Sequence, residues 1–204
     1  MGCSTRISPW PTPIHILHKI PVKGFGKDSF YADDTLIYFT FDDTASAKSK
    51  LEEIFKEVKA WMHSKMLKLN VSKTSLLIIS LKSLRESVLG DFGSFHYNSE
   101  TLTPLNELKY LGVTFDSEMN FNTQISNVIK KANFALFTLK TLRRNIPRKQ
   151  LISFVHAFVF ANLDYCNIIY YMLRKYQIYR LQKIINRAAR IIYNLKSSQP
   201  ITRS

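Results

Sequence analysis

The residues Ser29-Phe30-Tyr31-Ala32-Asp33-Asp34-Thr35-Leu36-Ile37-Tyr38 set two carboxylates side by side between two short runs of strand-forming side chains. A tight hairpin there would favour Asn-Gly or Asp-Gly, because both central residues of the common turn need positive φ. Asp-Asp is a poorer turn and adds like-charge repulsion. A local rule broken this plainly is typical of a functional site. The chemistry open to such a turn is cation binding. Mg2+ takes hard oxygen ligands in an octahedron and leaves several positions to water and substrate phosphates. Two such ions together activate an attacking hydroxyl and stabilise a departing pyrophosphate. That arrangement needs a further carboxylate from a neighbouring strand. Without one, the pair is a strained turn carrying two solvated acids.

The elements that must position the pair follow from periodicity. Residues 1–28 show no clear pattern, and Trp10-Pro11-Thr12-Pro13, Pro21, Gly24 and Gly26 predict irregular or extended chain. Residues 30–32 and 36–41 predict two strands of a hairpin around the acids. A second acidic pair, Asp42-Asp43, precedes Thr44, and here capping is the simpler explanation, since acids favour a helix N-terminus. The helix after it, over about 45–65, carries Leu51, Ile54, Phe55, Val58, Trp61 and Met62 on one stripe. A β-branched run at 76–79 predicts a strand. Residues 95–97 and 101–103 predict a small hairpin, and 110–115 a further strand, with Gly112 allowing a bulge or a close backbone approach.

From Asn120 onward the pattern is helical. One helix places Phe121, Ile125, Val128, Ile129, Ala132, Ala135, Leu136 and Leu139 on a stripe. Pro147 separates it from a second helix, apolar on nearly every side over 151–159, which should form the buried centre with His156 as a core residue. A third helix, about 176–194, turns Leu181, Ile184, Ile185, Ala188, Ile192 and Leu195 inward, and sets Arg180, Lys183, Arg187 and Arg190 on another face.

Charge divides the chain in the same place. The formal net charge is +14. Residues 1–118 balance 14 Lys+Arg with 14 Asp+Glu, while residues 119–204 hold 15 Lys+Arg against one acid, Asp164. The excess points to a polyanion, nucleic acid before an acidic membrane surface; the plainer alternative is a solvated basic helical surface. Lys130, Lys131, Arg143, Arg144 and the four cations of the third helix are the candidates for phosphate contact. Two cysteines, Cys3 and Cys166, give no disulfide framework, so a reducing compartment is expected. No apolar run reaches the length of a membrane span, and no secretory signal opens the chain. Met1-Gly2-Cys3 lacks the Ser or Thr that a myristoylation start wants, because Arg6 stands there. The expected location is intracellular, cytoplasm or nucleus. His15 and His18 with Cys3 make only a partial zinc set.

Tyr31-Ala32-Asp33-Asp34-Thr35 with a strand on each side resembles the metal-binding hairpin, motif C, of reverse transcriptases. Leu67-Lys68-Leu69-Asn70 and Lys73-Thr74, between a helix and an apolar strand, resemble that family's motif D. Tyr110-Leu111-Gly112-Val113, followed by Asp116 and Phe121, resembles the segment that supports the primer and enters the thumb. Leu163-Asp164-Tyr165-Cys166-Asn167 and Leu181-Gln182-Lys183 with Asn186, Ala188, Ala189 and Arg190 are similar to the region after the polymerase core in jockey-like retrotransposons, which lack long terminal repeats. The resemblance runs in order over about residues 29–195.

It implies an α+β fold: an irregular remnant over 1–28, a partial polymerase palm over 29–118, and an all-α, thumb-like basic region over 119–204. It implies an RNA-directed DNA polymerase that uses Mg2+ or Mn2+, dNTPs, an RNA template and an RNA–DNA or DNA duplex. Asp33 would be the main metal ligand, with Asp34 beside it. Tyr31 would lie near the template-primer end, and Leu111, Gly112 and Val113 would form the primer grip. Lys73 would stand near the incoming phosphates as a proton donor, although an exposed lysine before a strand is also commonplace. One part of the pattern is missing. The family's metal site takes an Asp from an earlier strand, and a Gly-rich segment shapes its nucleotide pocket. Only 32 residues precede Asp33; Asp28 is the sole acid among them and belongs to the same strand. The expectation is therefore a polymerase part that does not polymerise alone. The alternatives are a non-catalytic basic nucleic-acid-binding module and a decayed product without function. Oligomeric state is left open.

Overall fold

In the computed structural model the described residues are 13–17, 27–31, 34–64, 66, 73–97 and 100–196, with side chains from residue 36 onward. Two compact units divide the chain, residues 1–119 and 120–204. The class is α+β, with sheet confined to the first unit among the described residues.

The first unit is built on a five-stranded sheet in the order β2-β3-β1-β4-β7. The strands are β1 (Pro13–Leu17), β2 (Lys27–Tyr31), β3 (Asp34–Thr40), β4 (Ser75–Ile78) and the two-residue β7 (Pro104–Leu105). The central place of β1, antiparallel to both β3 and β4, corrects the expectation of irregular chain over 1–28. Pro13 hid it. Proline reads as a breaker, yet as the first residue of a strand it costs no essential ladder donor.

α1 (Thr44–Ser64) covers one face of this sheet. Asp43 caps it, its Oδ1 accepting from the Ser46 N–H at 2.8 Å. That backbone bond, helped by the Ser46 hydroxyl, holds the Asp43 carboxyl below its usual range. Ile37 and Phe39 of β3 and Leu76 and Ile78 of β4 pack with Leu51, Ile54, Phe55, Val58 and Met62 of α1. The alternate residues of β4 and its end, Leu77 and Ile79, bury instead against Leu108, Phe115 and Met119. Burial on both faces is why 76–79 is a continuous apolar run rather than an alternating one.

α2 (Lys82–Phe92), which periodicity did not reveal, ends at Gly93 in a positive-φ conformation. The hairpin of β5 (Phe95–Tyr97) and β6 (Glu100–Leu102) docks by its aromatics, Phe95 and Tyr97 lying 5.4 and 4.8 Å from the Phe55 ring. The expected single strand over 110–115 is in fact two. β8 (Glu107–Tyr110) and β9 (Val113–Asp116) pair antiparallel, closed by Tyr110 opposite Val113. Leu111 (φ 45°) and Gly112 (φ 79°) make the turn between them. Positive φ at both central residues is the type I′ requirement, which Gly meets freely. Gly112 is thus a turn residue, not a bulge.

The second unit is helical among its described residues. α3 (Asn122–Leu142) and α6 (Lys175–Tyr193) run parallel, because Asn120, Asn122, Ser126 and Asn133 meet Arg174, Tyr176, Arg180 and Arg187 at a constant offset of 54 residues. Gln177, 1% exposed, ties the two starts together, its Nε2 donating to the Asn120 carbonyl (2.8 Å) and Asn122 Oδ1 (2.9 Å). The buried stripe of α6 is Gln177, Leu181, Ile184, Ala188 and Ile191. Ile185 is exposed and Ile192 and Leu195 only half-buried, which corrects their predicted inward placing.

Between these helices stands one continuous helical run. It comprises α4 (Arg148–Val155), a π-helical turn (His156–Phe160) and α5 (Ala161–Asp164), followed by a 3-10 helix at Asn167–Met172. Leu151, Val155, Val159 and Leu163 are its buried side chains. Over twelve residues a regular α-helix would rotate that stripe by about 120°. The extra residue of the π turn, where Ala161 N–H bonds the His156 carbonyl, brings it back into line. The predicted buried centre is therefore only a one-sided strip. His156, Phe154 and Phe158 are exposed, so His156 is not a core residue.

Candidate functional site

The acidic hairpin is set by strand pairing. β2 and β3 are antiparallel from Lys27 opposite Tyr38 to Tyr31 opposite Asp34. Tyr31 and Asp34 are thus the last rung before the turn, and Ala32 and Asp33, between them in sequence, lie outside the described residues. One rung of the sheet joins Ser29, Leu36, Leu17 and Ser75 across four strands. Asp34 stands two residues before Leu36, and Lys73 two residues before Ser75. Both therefore lie at the same end of the sheet, separated by β1 and so by about 10 Å at that rung. Lys73 is exposed.

The strands beside β3 decide what the acids can hold. A two-metal centre needs a carboxylate on a strand next to the hairpin. β1 reads Pro13-Ile14-His15-Ile16-Leu17 and β4 reads Ser75-Leu76-Leu77-Ile78, neither with an acid. Asp28 pairs with Ile37, three rungs from the Tyr31–Asp34 pair and about 10 Å along the same strand. Among the described residues, the strands beside the hairpin bring no third carboxylate toward a two-ion Mg2+ or Mn2+ centre. Among the described residues no group of three His, Cys, Asp or Glu converges.

The remaining predicted residues fall on two further surfaces. At the tip of the β8–β9 hairpin, Gly112 is exposed and Leu111 half-buried, while Val113 is buried. On the helical unit, Lys130, Lys131, Arg144, Lys183 and Arg187 are exposed, and Arg143, Arg180 and Arg190 half-buried. Arg180 donates to Ser126 Oγ (3.3 Å) and Arg187 to Asn133 Oδ1. Both partners are neutral, so each guanidinium keeps its charge and gains a fixed direction. Lys183 lies 4.5 Å over the Tyr179 ring. Arg180 and Arg187 of the α6 stripe are thus held in place by α3 through neutral partners.

One surface was missed at the level of sequence. α3 and the run from Arg148 to Asp164 enclose an open groove of about 490 Å³, lined by Lys131, Phe134, Ala135, Thr138, Leu139, Leu142, Phe154, Phe158 and Asn162. The signal was there: Phe134 and Phe137 fall off the core stripe of their helix, and Phe154 and Phe158 are four residues apart.

No described helix is long and apolar enough to cross a membrane. In comparisons with known proteins, no family model, no curated protein and no solved structure matches the chain.

Proposed function

We propose that the chain is the palm-and-thumb part of a reverse transcriptase of the kind found in retrotransposons without long terminal repeats, and that in this form it holds nucleic acid without polymerising. The observation that carries the proposal is the register of the sheet. It closes a hairpin with Tyr31 opposite Asp34 and sets Lys73 at the same sheet end. The motifs of the sequence supply the family, and the helical unit supplies the grip.

Phosphate contacts from Lys and Arg give affinity that is independent of sequence and falls with salt. An RNA–DNA hybrid or DNA duplex is the partner that suits Lys130, Lys131, Arg144, Lys183 and Arg187. Such a partner places the protein inside the cell, in cytoplasm or nucleus. Polymerisation is another matter, because β1 and β4 bring no carboxylate to the acidic turn.

Binding of a short RNA–DNA hybrid, followed by fluorescence anisotropy over a salt series, tests the first part. With about five phosphates neutralised, the slope of log K against log salt should be about −4.5. A slope near zero, or no binding at low salt, overturns it. Primer extension with Mg2+ or Mn2+ tests the second part. No incorporation is expected, and incorporation that disappears in Asp33→Ala would refute it.

A further inference from the structure

We infer that the groove between α3 and the Arg148–Asp164 run is a binding site for unpaired nucleotides, whose bases stack on its phenylalanine rings. The inference rests on the nucleic-acid reading of this unit for its class of ligand. It adds a second site, separate from the basic stripe of α6.

Three observations carry it. The rings are open to solvent: Phe134 is 73% exposed and Phe158 55%. They are also grouped, since Phe154 and Phe158 form a tilted pair with centroids 6.1 Å apart, and both line the same groove as Phe134. Nothing in the packing of the unit requires them there. The buried strip of this run is Leu151, Val155, Val159 and Leu163, on another side.

The second observation is charge. Lys131 lines the groove itself. At the far end of α3, the turn into α4 carries Arg143, Arg144, Arg148 and Lys149, with no acid among residues 120–163. An aromatic floor with cations at both ends complements a strand of bases on a phosphate backbone. With Asp164 as the one acid among residues 119–204, the unit offers a second copy of itself little electrostatic complement.

The third is shape. Lys131 to Leu142 spans about 16 Å of helix, a trough rather than an enclosed pocket. Bases stack on aromatic side chains whatever their identity, so the site holds a strand without reading its sequence. A paired duplex hides its base faces and cannot use the floor. The two surfaces therefore divide the labour: the stripe on α6 takes phosphates of either form, and the groove takes single strands only.

The full chain is tested by anisotropy with a labelled oligothymidylate of about a dozen nucleotides and, in parallel, a hybrid duplex of similar length. Phe134→Ala and Phe158→Ala should each weaken oligothymidylate binding at least about 5-fold, and the double variant about 30-fold, with the salt slope unchanged. Duplex affinity should stay within about 2-fold. Circular dichroism melts check that the variants fold; the rings are exposed, and Phe→Leu provides a second variant that keeps apolar bulk without a stacking face. Phe158→Leu should weaken the single strand as Ala does. Unchanged oligothymidylate binding in the double variant, with wild-type duplex binding intact, overturns this inference alone. Loss of all binding by the wild-type chain overturns the proposed function as well. A wild-type dimer in sedimentation that Phe134→Ala dissociates, with oligothymidylate binding unaffected, assigns the groove to a second copy and also overturns it.

Discussion

Gln177→Leu should destabilise the helical unit more than any surface change of similar size. The amide is 1% exposed and fully engaged: its Nε2 donates to the Asn120 carbonyl and to Asn122 Oδ1, and its Oε1 accepts from the Arg174 N–H at 2.9 Å. Leucine fills a similar volume but makes none of these bonds. At about 1 kcal/mol net for each, the loss is about 3 kcal/mol. Greater apolar burial returns about 1 kcal/mol, leaving about 2 kcal/mol. With urea m-values of 1–3 kcal/mol/M, the unfolding midpoint should fall by roughly 1 M. Both tryptophans, Trp10 and Trp61, precede residue 120 in the sequence, so helical circular dichroism is the signal to follow. Gln182→Leu is the control, because that exposed amide bonds only its own helix at Asn186. Its cost should stay within about 0.5 kcal/mol. A Gln177→Leu midpoint no lower than that of Gln182→Leu would refute the reasoning, and with it the view that this amide sets the register of α3 against α6.

Two further outcomes follow from local geometry. Gly90 lies within α2 with nothing near the space of an added Cβ, whereas Gly93 holds φ 56° and ψ −118°. Gly90→Ala should therefore raise stability by about 0.5–1 kcal/mol and Gly93→Ala lower it by about 1–3 kcal/mol in thermal or urea unfolding; the same sign for both would be inconsistent with this helix end. Tyr170 donates its hydroxyl to the Leu163 carbonyl, and burial, with Asp164 and Cys166 nearby, pushes its pKa up to about 12. A raised folded value stabilises the unit below the ordinary tyrosine pKa of 10 and is lost as pH rises through about 12. In an absorbance titration the step near pH 12 should be missing in Tyr170→Phe, while the delay that burial gives Tyr97 should persist.

How much of this could be read from the residues depends on how local each determinant is. α1 was legible because Asp43 caps it and Leu51, Ile54, Phe55, Val58 and Met62 recur at the helical period. The hairpin around the acids was legible because strand formers flank a short polar break. β1 was not, since a strand of five residues beginning with Pro13 is defined by its two neighbours rather than by its own pattern. The split of 110–115 into two strands escaped because Leu111 takes positive φ, which no propensity for leucine anticipates. The helical run from Arg148 misled for the opposite reason. Its apolar residues circle the helix, but the unit offers a partner on one side only, so Phe154 and Phe158 are left in the open. Hydrophobicity marks what prefers burial; the number of neighbouring elements decides what receives it.

The two halves of the proposed function also differ in how much loss they tolerate. Two-metal catalysis is a matter of geometry: the ions share carboxylates, and removing one ligand leaves too few oxygens around too much charge. β1 occupies the place beside β3 from which such a ligand would come, and it brings isoleucine and histidine. Phosphate binding is additive instead. Each exposed cation of the helical unit contributes its own increment of counterion release, and none depends on another's exact position. Arg180 and Arg187 show how little that grip needs from the acidic hairpin, because Ser126 and Asn133 of their own unit hold them in place. Under the proposed function, a chain with this hairpin and these helices would therefore keep its hold on nucleic acid under changes that abolish polymerisation.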